Sequence, residues 1–306
     1  MPSVNTAVRK PRATPDIRYV LHPEQDAAYV QFADSAAHPF IARADTMGRR
    51  NAWWLADAAL LAYWDPDVAV PRFTSAGLTA ELVFENEVQC YVAWTHDFAL
   101  VSFRGTESDD RRDLFDDACF RLVPHGPGTR VHAGFKDAFE RVWPRVHDRL
   151  QSLRGSRPVW FTGHSLGAAL ATLAAERFGA TSGVCTVGCP RVGDAAFACA
   201  FDSRFDGRSV RYVNDADIVT HVPPPLPLPY KHTGGLRHIA PDGSIANTAP
   251  TLAHFFTQLV GDPLHVLEVV DGLRTGALLR APHFLLDHMP RGYAVDIWND
   301  YADHGD

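Results

Sequence analysis

Two hydrophobic periods alternate through the middle of the chain, one of strands and one of helices. Residues 157–162 form a short apolar run bounded by Pro158, with strand-favouring types. Residues 166–178 follow, rich in Ala, Leu, Glu and Arg, with Leu166, Leu170, Leu173 and Ala174 on one face at helical spacing. Gly179 stands where a helix C-cap belongs. The same reading predicts helices at 24–32 and at 51–64, the second apolar nearly all round and therefore buried. It pairs strands at 88–94 and 98–103 around Thr95-His96-Asp97. An amphipathic helix is expected over 133–153, with Phe135, Phe139, Val142 and Val146 inward and Pro144 as a point of kinking. Strands at 184–188 and 209–213 flank a helix at 194–201, and an edge hairpin is expected at 235–240 with its turn at Pro241-Asp242-Gly243. Residues 250–260 and 264–273 read as helices, 222–229 as a rigid Pro-rich surface loop, and 1–20 as a loose arm. Alternating strands and helices imply an α/β fold, a mostly parallel central sheet with helices on both faces, here in a single domain over 1–306.

At the junction of the 157–162 strand and the 166–178 helix lies Gly163-His164-Ser165-Leu166-Gly167. A strand that feeds a helix through one sharp turn strains the central residue and exposes its side chain, which makes the Ser165 hydroxyl a candidate nucleophile. The flanking glycines permit the turn, because a Cβ on either would meet the opposite arm. A serine nucleophile needs a base and an orienting carboxylate, each in a loop at the carboxyl edge of the sheet. Asp215 and Asp217 both follow the 209–213 strand and both qualify. After them come His221, His232, His238, His254, His265, His283, His288 and His304, and the pattern of residues does not choose among these.

Composition narrows the picture further. With 29 Lys and Arg against 36 Asp and Glu, a net charge of −7 argues against nonspecific binding to nucleic acid or anionic membranes. The five cysteines, Cys90, Cys119, Cys185, Cys189 and Cys199, are odd in number and lie mostly in apolar stretches, which reads as reduced thiols and no disulfide framework. No metal-type histidine pair stands out, so no metal and no cofactor are implied. No apolar run is long enough to span a membrane. The first sixteen residues lack an apolar core for export, so the chain as it stands is expected in the cytoplasm, or outside the cell if it is a trimmed mature form.

Four blocks in order make the chain resemble the class 3 (fungal and plant type) lipases. Ser102-Phe103-Arg104-Gly105-Thr106 is similar to that family's oxyanion turn, and Val131-His132-Ala133-Gly134-Phe135 to its His-x-Gly-Phe helix entry. Residues 162–175 together with Gly188-Cys189-Pro190-Arg191-Val192-Gly193 are similar to its elbow and following turn, and residues 212–224 to its catalytic-acid segment. The resemblance implies an α/β-hydrolase fold and a serine carboxylester hydrolase, a triacylglycerol lipase or esterase. It implies Ser165 as nucleophile, Asp217 as acid and His288, in Asp287-His288-Met289-Pro290-Arg291-Gly292-Tyr293, as base, with His283 as rival. Thr106 and the backbone N–H of Leu166 are the implied oxyanion donors; Arg104 would brace the turn by ion pairing, His221 the acid loop, and His164 would pack the elbow.

The resemblance further implies a lid over 107–120. Six of its fourteen residues here are acidic, and Leu114 stands where the family tends to carry Trp. An apolar face that poor suits short- and medium-chain esters, with at most transient contact with a lipid interface. Phospholipase A1 and feruloyl-type esterase activities share the same chemistry. A lipase-like binding module with a dead site is the alternative of another class.

Overall fold

A computed structural model of the chain describes residues 6–105, 120–153, 155, 157–215, 217–225, 229–248 and 283–306. Its strands are β1 (Thr79–Glu85), β2 (Val88–Trp94), β3 (Ala99–Phe103), β4 (Leu122–Gly126), β5 (Thr129–His132), β6 (Val159–His164), β7 (Thr181–Val187), β8 (Gly193–Asp194), β9 (Ser209–Asn214), β10 (Tyr230–Lys231), β11 (Gly235–Ile239) and β12 (Ile245–Ala246). Its α-helices are α1 (Ile17–Leu21), α2 (Arg49–Leu61), α3 (Pro66–Ser75), α4 (Ala133–Ser152), α5 (Leu166–Phe178), α6 (Ala195–Arg204), α7 (His283–Leu286) and α8 (Pro290–His304).

Eight strands form the central sheet in the order β1-β2-β3-β6-β7-β9-β11-β12. The run from β3 to β11 is parallel, and the antiparallel pairs lie at the two ends. This is the α/β-hydrolase arrangement that the sequence suggested. β3 and β6 are buried at every position, as parallel strands covered on both faces must be. Their side chains alternate between two cores. Leu100 and Trp160 face Trp53, Leu55, Phe73 and Trp298 of α2, α3 and α8. Val101 and Phe161 face Phe139, Leu170 and Phe201 of α4, α5 and α6. A smaller sheet, β10-β8-β5-β4, stands beside the main one.

The predicted helix at 51–64 is α2, whose residues 51–61 are all buried. α4 continues through Pro144 with the four expected side chains inward. The paired strands β2 and β3 and the edge hairpin β11–β12 fall where the pattern put them. Two expectations are corrected. Residues 24–32 are not a helix: a 3-10 turn over Pro23–Gln25 gives way to irregular backbone, and Phe32 takes φ +59° because its N–H donates to the buried Asp57 carboxylate at 2.7 Å. The arm over 1–20 is not loose where it is described. Trp298 Nε1 donates to Val8 O at 2.8 Å, Asn299 clamps both main-chain polar groups of Lys10, and Arg12 forks onto Asp296 with two bonds of 2.8 Å. The Lys10 ammonium lies 4.3 Å above the Trp298 ring. α3, β1 and the β4–β5 hairpin are elements the sequence pattern did not announce. The helices expected at 250–260 and 264–273 lie outside the described residues, as do 226–228 of the Pro-rich loop.

Cys90, Cys185 and Cys189 are buried free thiols, Cys189 pushed up by burial to about 12, while Cys199 is free and exposed on α6. Cys119 lies outside the described residues. Among those residues no helix is long and apolar enough to cross a membrane.

Candidate active site

The parallel strands end on one edge of the sheet, and the candidate residues follow those ends. Phe103 of β3 pairs with Gly163 of β6, and His164 with Val187 of β7, so the chain leaves all three strands side by side. Ser165 comes next after β6 and takes φ +58°, ψ −128°, a conformation L-residues avoid at a cost of roughly 1–3 kcal/mol. Its N–H donates to Val187 O at 3.1 Å and its C=O accepts from Ala168 N at 3.0 Å, so sheet and helix together hold the strain. The turn closes because Gly163 lies against the backbone of Gly167, where a Cβ would collide. α5 then starts at Leu166 with the N–H groups of its first turn directed to this edge.

Asp217 follows β9. Its carboxylate accepts from Val219 N at 2.9 Å through Oδ1 and from the Tyr293 hydroxyl at 2.5 Å through Oδ2. His288 Nδ1 lies 3.0 Å from Oδ1 and 2.8 Å from Oδ2. Nδ1 therefore carries the proton, and the neutral ring presents a bare lone pair at Nε2. Ser165, Asp217 and His288 are 1%, 0% and 1% exposed, so all three are shielded from water. Ser165 Oγ and His288 Nε2 are both buried without a hydrogen-bond partner among the described residues. A hydroxyl and an imidazole nitrogen left with unused polar atoms at the same sheet edge have capacity for a third participant.

The other candidates fall as follows. Asp215 is tied to the sheet edge by its main chain: its N–H donates to Ile239 O at 2.8 Å, and its C=O lies 3.3 Å from His238 Nε2. His283 opens α7, and its side chain lies outside what is described. Thr106 and residues 107–119 of the expected lid also lie outside the described residues; Phe120 is buried. Arg104 donates from Nη1 to Gln89 Oε1 at 3.0 Å, and its N–H to Gln89 O at 2.9 Å. Arg191, in the turn after β7, donates to the carbonyls of His221 and, at 2.9 Å, Pro223, which pins the loop after Asp217. Burial, reinforced by Arg191, lowers His221 to about 4. His164 is fully buried, its Nδ1 2.8 Å from the Tyr63 hydroxyl and its Nε2 2.9 Å from His288 O.

Two contributors were not singled out by the sequence. Tyr293 appeared as the end of a motif, but the signal that it serves Asp217 is three-dimensional: its hydroxyl also accepts from Asn214 N at 2.9 Å. Gly188 appeared as a turn residue; at φ +58° it lies under the Asp217–His288 pair, where a Cβ would come within 3.0 Å of His288 Cε1 and 3.1 Å of Asp217 Oδ2.

The chain is similar to known proteins over part of its length. Residues 100–226 match the family model of the class 3 lipases. A secreted mono- and diacylglycerol lipase of Malassezia restricta is 34% identical over 134 residues, 40% of this chain and 42% of that protein. A lipase of Rhizopus niveus is 38% identical over 136 residues, 40% of this chain and 34% of that protein. The chain thus spans less than half the length of these curated relatives. The solved triacylglyceride lipase of Rhizomucor miehei superposes with a TM-score of 0.53 at 27% identity, covering 63% of this chain and 80% of that one.

Proposed function

We propose that this chain, a relative of the class 3 lipases through residues 100–226, is a serine carboxylester hydrolase that works through an acyl-enzyme on Ser165. The observation that carries the reading is the buried Asp217–His288 pair, with Nδ1 on the carboxylate and Nε2 without a partner among the described residues. His288 Nε2 takes the Ser165 proton as Oγ attacks the ester carbonyl, and returns it to the departing alcohol. Asp217 holds the tautomer and stabilises the imidazolium that forms. A water activated by the same imidazole then releases the acid. The N–H of Leu166 at the start of α5 receives the oxyanion, and Thr106 supplies the second donor; one such donor contributes about 3 kcal/mol to lowering the barrier.

The preferred substrates are short- and medium-chain esters. The acidic composition of 107–120 supports this, since such a segment offers little apolar surface to an oil phase. The Malassezia relative is named a secreted mono- and diacylglycerol lipase, which supports partial glycerides as the natural class and a location outside the cell.

The test is fluorophosphonate labelling with hydrolysis of nitrophenyl esters from acetate to palmitate. Wild type is expected to label on Ser165 and to turn over the shorter esters best. Ser165→Ala should lose labelling and about 10⁴-fold or more in kcat. Unlabelled, inactive wild type leaves the dead-site binding module. Preference for a phospholipid or a feruloyl ester identifies the alternative hydrolases. A steep rise in rate as substrate passes its solubility limit overturns the substrate preference.

A further inference from the structure

His164 precedes the nucleophile, and its sequence position suggests no more than packing. Its hydrogen bonds fix more than its place. The His288 carbonyl can only accept, so His164 Nε2, 2.9 Å away, carries the proton. In the neutral ring Nδ1 is then a lone pair, to which the Tyr63 hydroxyl donates across 2.8 Å. The His164 ring lies 4.3 Å from the His288 ring at 35°, so it also forms one wall of the base. Tyr63, just beyond α2, sets its hydroxyl hard against Gly105, in the turn that follows β3.

We propose that His164 is a positioning residue for the catalytic base, with Tyr63 fixing the tautomer that lets it act; this rests on the hydrolase reading above. The bond from Nδ1 to Asp217 sets the tautomer of His288, but a single hydrogen-bonded edge does not fix where the ring sits. His288 lies in the short connection between α7 and α8. Its main chain is held by its own N–H, which donates to Leu285 O at 3.1 Å, by Asn214 Nδ2, which donates to Asp287 O at 2.9 Å, and at the His288 carbonyl by His164. Removing the His164 tether frees the carbonyl, and removing the ring opens space beside the imidazole. Displacing a base by about 1 Å costs on the order of 10²-fold in rate. A residue that only filled the elbow would be replaceable by an apolar side chain without kinetic consequence.

The experiment compares His164→Leu, His164→Gln and Tyr63→Phe in the full chain by kcat and KM on a soluble ester. Fluorophosphonate labelling rate and the low-field proton resonance of His288 Nδ1–H complete the comparison. His164→Leu is expected to lower kcat and labelling about 10- to 100-fold with KM within about twofold, and to shift the low-field resonance. His164→Gln, whose side-chain amide can donate to the His288 carbonyl, should recover most of the rate and the resonance. Tyr63→Phe should show a smaller loss in the same direction. A folded His164→Leu with kcat and labelling near wild type overturns the proposal. So does a His164→Gln as slow as His164→Leu with the resonance unmoved. If His164→Leu does not fold, Tyr63→Phe at wild-type rate together with an inactive His164→Gln overturns it. Failure of wild type to label sinks the hydrolase reading itself, whereas wild-type labelling with unchanged variants sinks only the positioning role.

Discussion

A site this tightly packed makes single atoms count. Gly188 shows it best: at φ +58° it leaves room for the Asp217–His288 pair, and any Cβ would press on His288 Cε1, His288 Nδ1 and Asp217 Oδ2 at 3.0–3.1 Å. Gly188→Ala is therefore expected to cost about 1–3 kcal/mol of stability from backbone strain alone. The same methyl should displace the imidazole, so kcat should fall at least about tenfold while KM for a soluble ester stays near wild type. Steady-state kinetics and urea unfolding of the variant check both halves, and an unchanged kcat would refute the contact. Gly188, like Tyr293, could be quoted from the sequence but not assigned. A glycine in a motif records a permissive backbone without saying what approaches it. The pairing of Tyr293 with Asp217 spans 76 positions that no local pattern links. The strained turn at Ser165 was legible because the strand, the turn and the helix are contiguous. Asp217 and His288 needed a family resemblance to be separated from Asp215 and the other histidines.

Legibility at the level of elements followed burial. α5, α4 and the parallel strands carry strong periods because both faces of the sheet are covered. β1 lies at the sheet edge with mostly exposed or half-exposed side chains, so its alternation is faint. α3 contains Pro71 within the helix, which reads as a breaker in sequence. The stretch 24–32 has helical spacing but yields to a tertiary bond, that of Phe32 N–H to Asp57. The N-terminal arm departs furthest from expectation, because its polar residues find partners on α8, at the far end of the chain. Arg12 is the strongest of these. Burial pushes the Asp296 carboxyl above its ordinary range, and the Arg12 guanidinium pulls it back down. Arg12→Ala leaves Asp296 buried and unpaired, at an expected cost of about 1–3 kcal/mol near pH 7, moderated because the Arg12 side chain is 37% exposed. Without Arg12 the Asp296 pKa rises further, so the carboxyl is neutral in acid and needs no cation. The loss should therefore shrink as pH is lowered towards about 4. Urea unfolding of wild type and variant at the two pH values reads it directly, and an equal loss at both would show that the pair is not coupled to folding. α8 begins two residues after His288, so the arm that steadies α8 also steadies the segment bearing His288.

Across the whole molecule, two cores on opposite faces of one sheet leave the carboxyl edge of the strands to chemistry. The core beneath α2, α3 and α8 is aromatic, with Trp53 and Trp298 in edge contact at 4.5 Å. Asp57 is set into this core, fully buried, accepting from the Tyr29 hydroxyl at 2.8 Å and from Phe32 N–H. Burial raises it to about 7, with Lys10, the Phe32 and Tyr29 hydrogen bonds and the nearby Trp53 indole opposing. This carboxyl imposes a pH dependence on global stability. Its folded pKa lies above its unfolded one, so the folded state keeps a proton that the unfolded chain releases. Its contribution to stability is present in full below about pH 4 and is lost as pH rises towards about 7, with a limiting slope of about 1.4 kcal/mol per pH unit. Asp57→Asn keeps the shape and removes the titration. The Asn carbonyl can accept from Phe32 N–H while its amide donates to the Tyr29 oxygen, a reversal the hydroxyl permits. The variant should therefore gain stability relative to wild type progressively between about pH 4 and pH 7, and the gap should then stay constant. Chemical unfolding across that range measures it. A gap that does not change with pH would mean that Asp57 is ionised throughout, held by Lys10 and its neighbouring donors against the cost of burial.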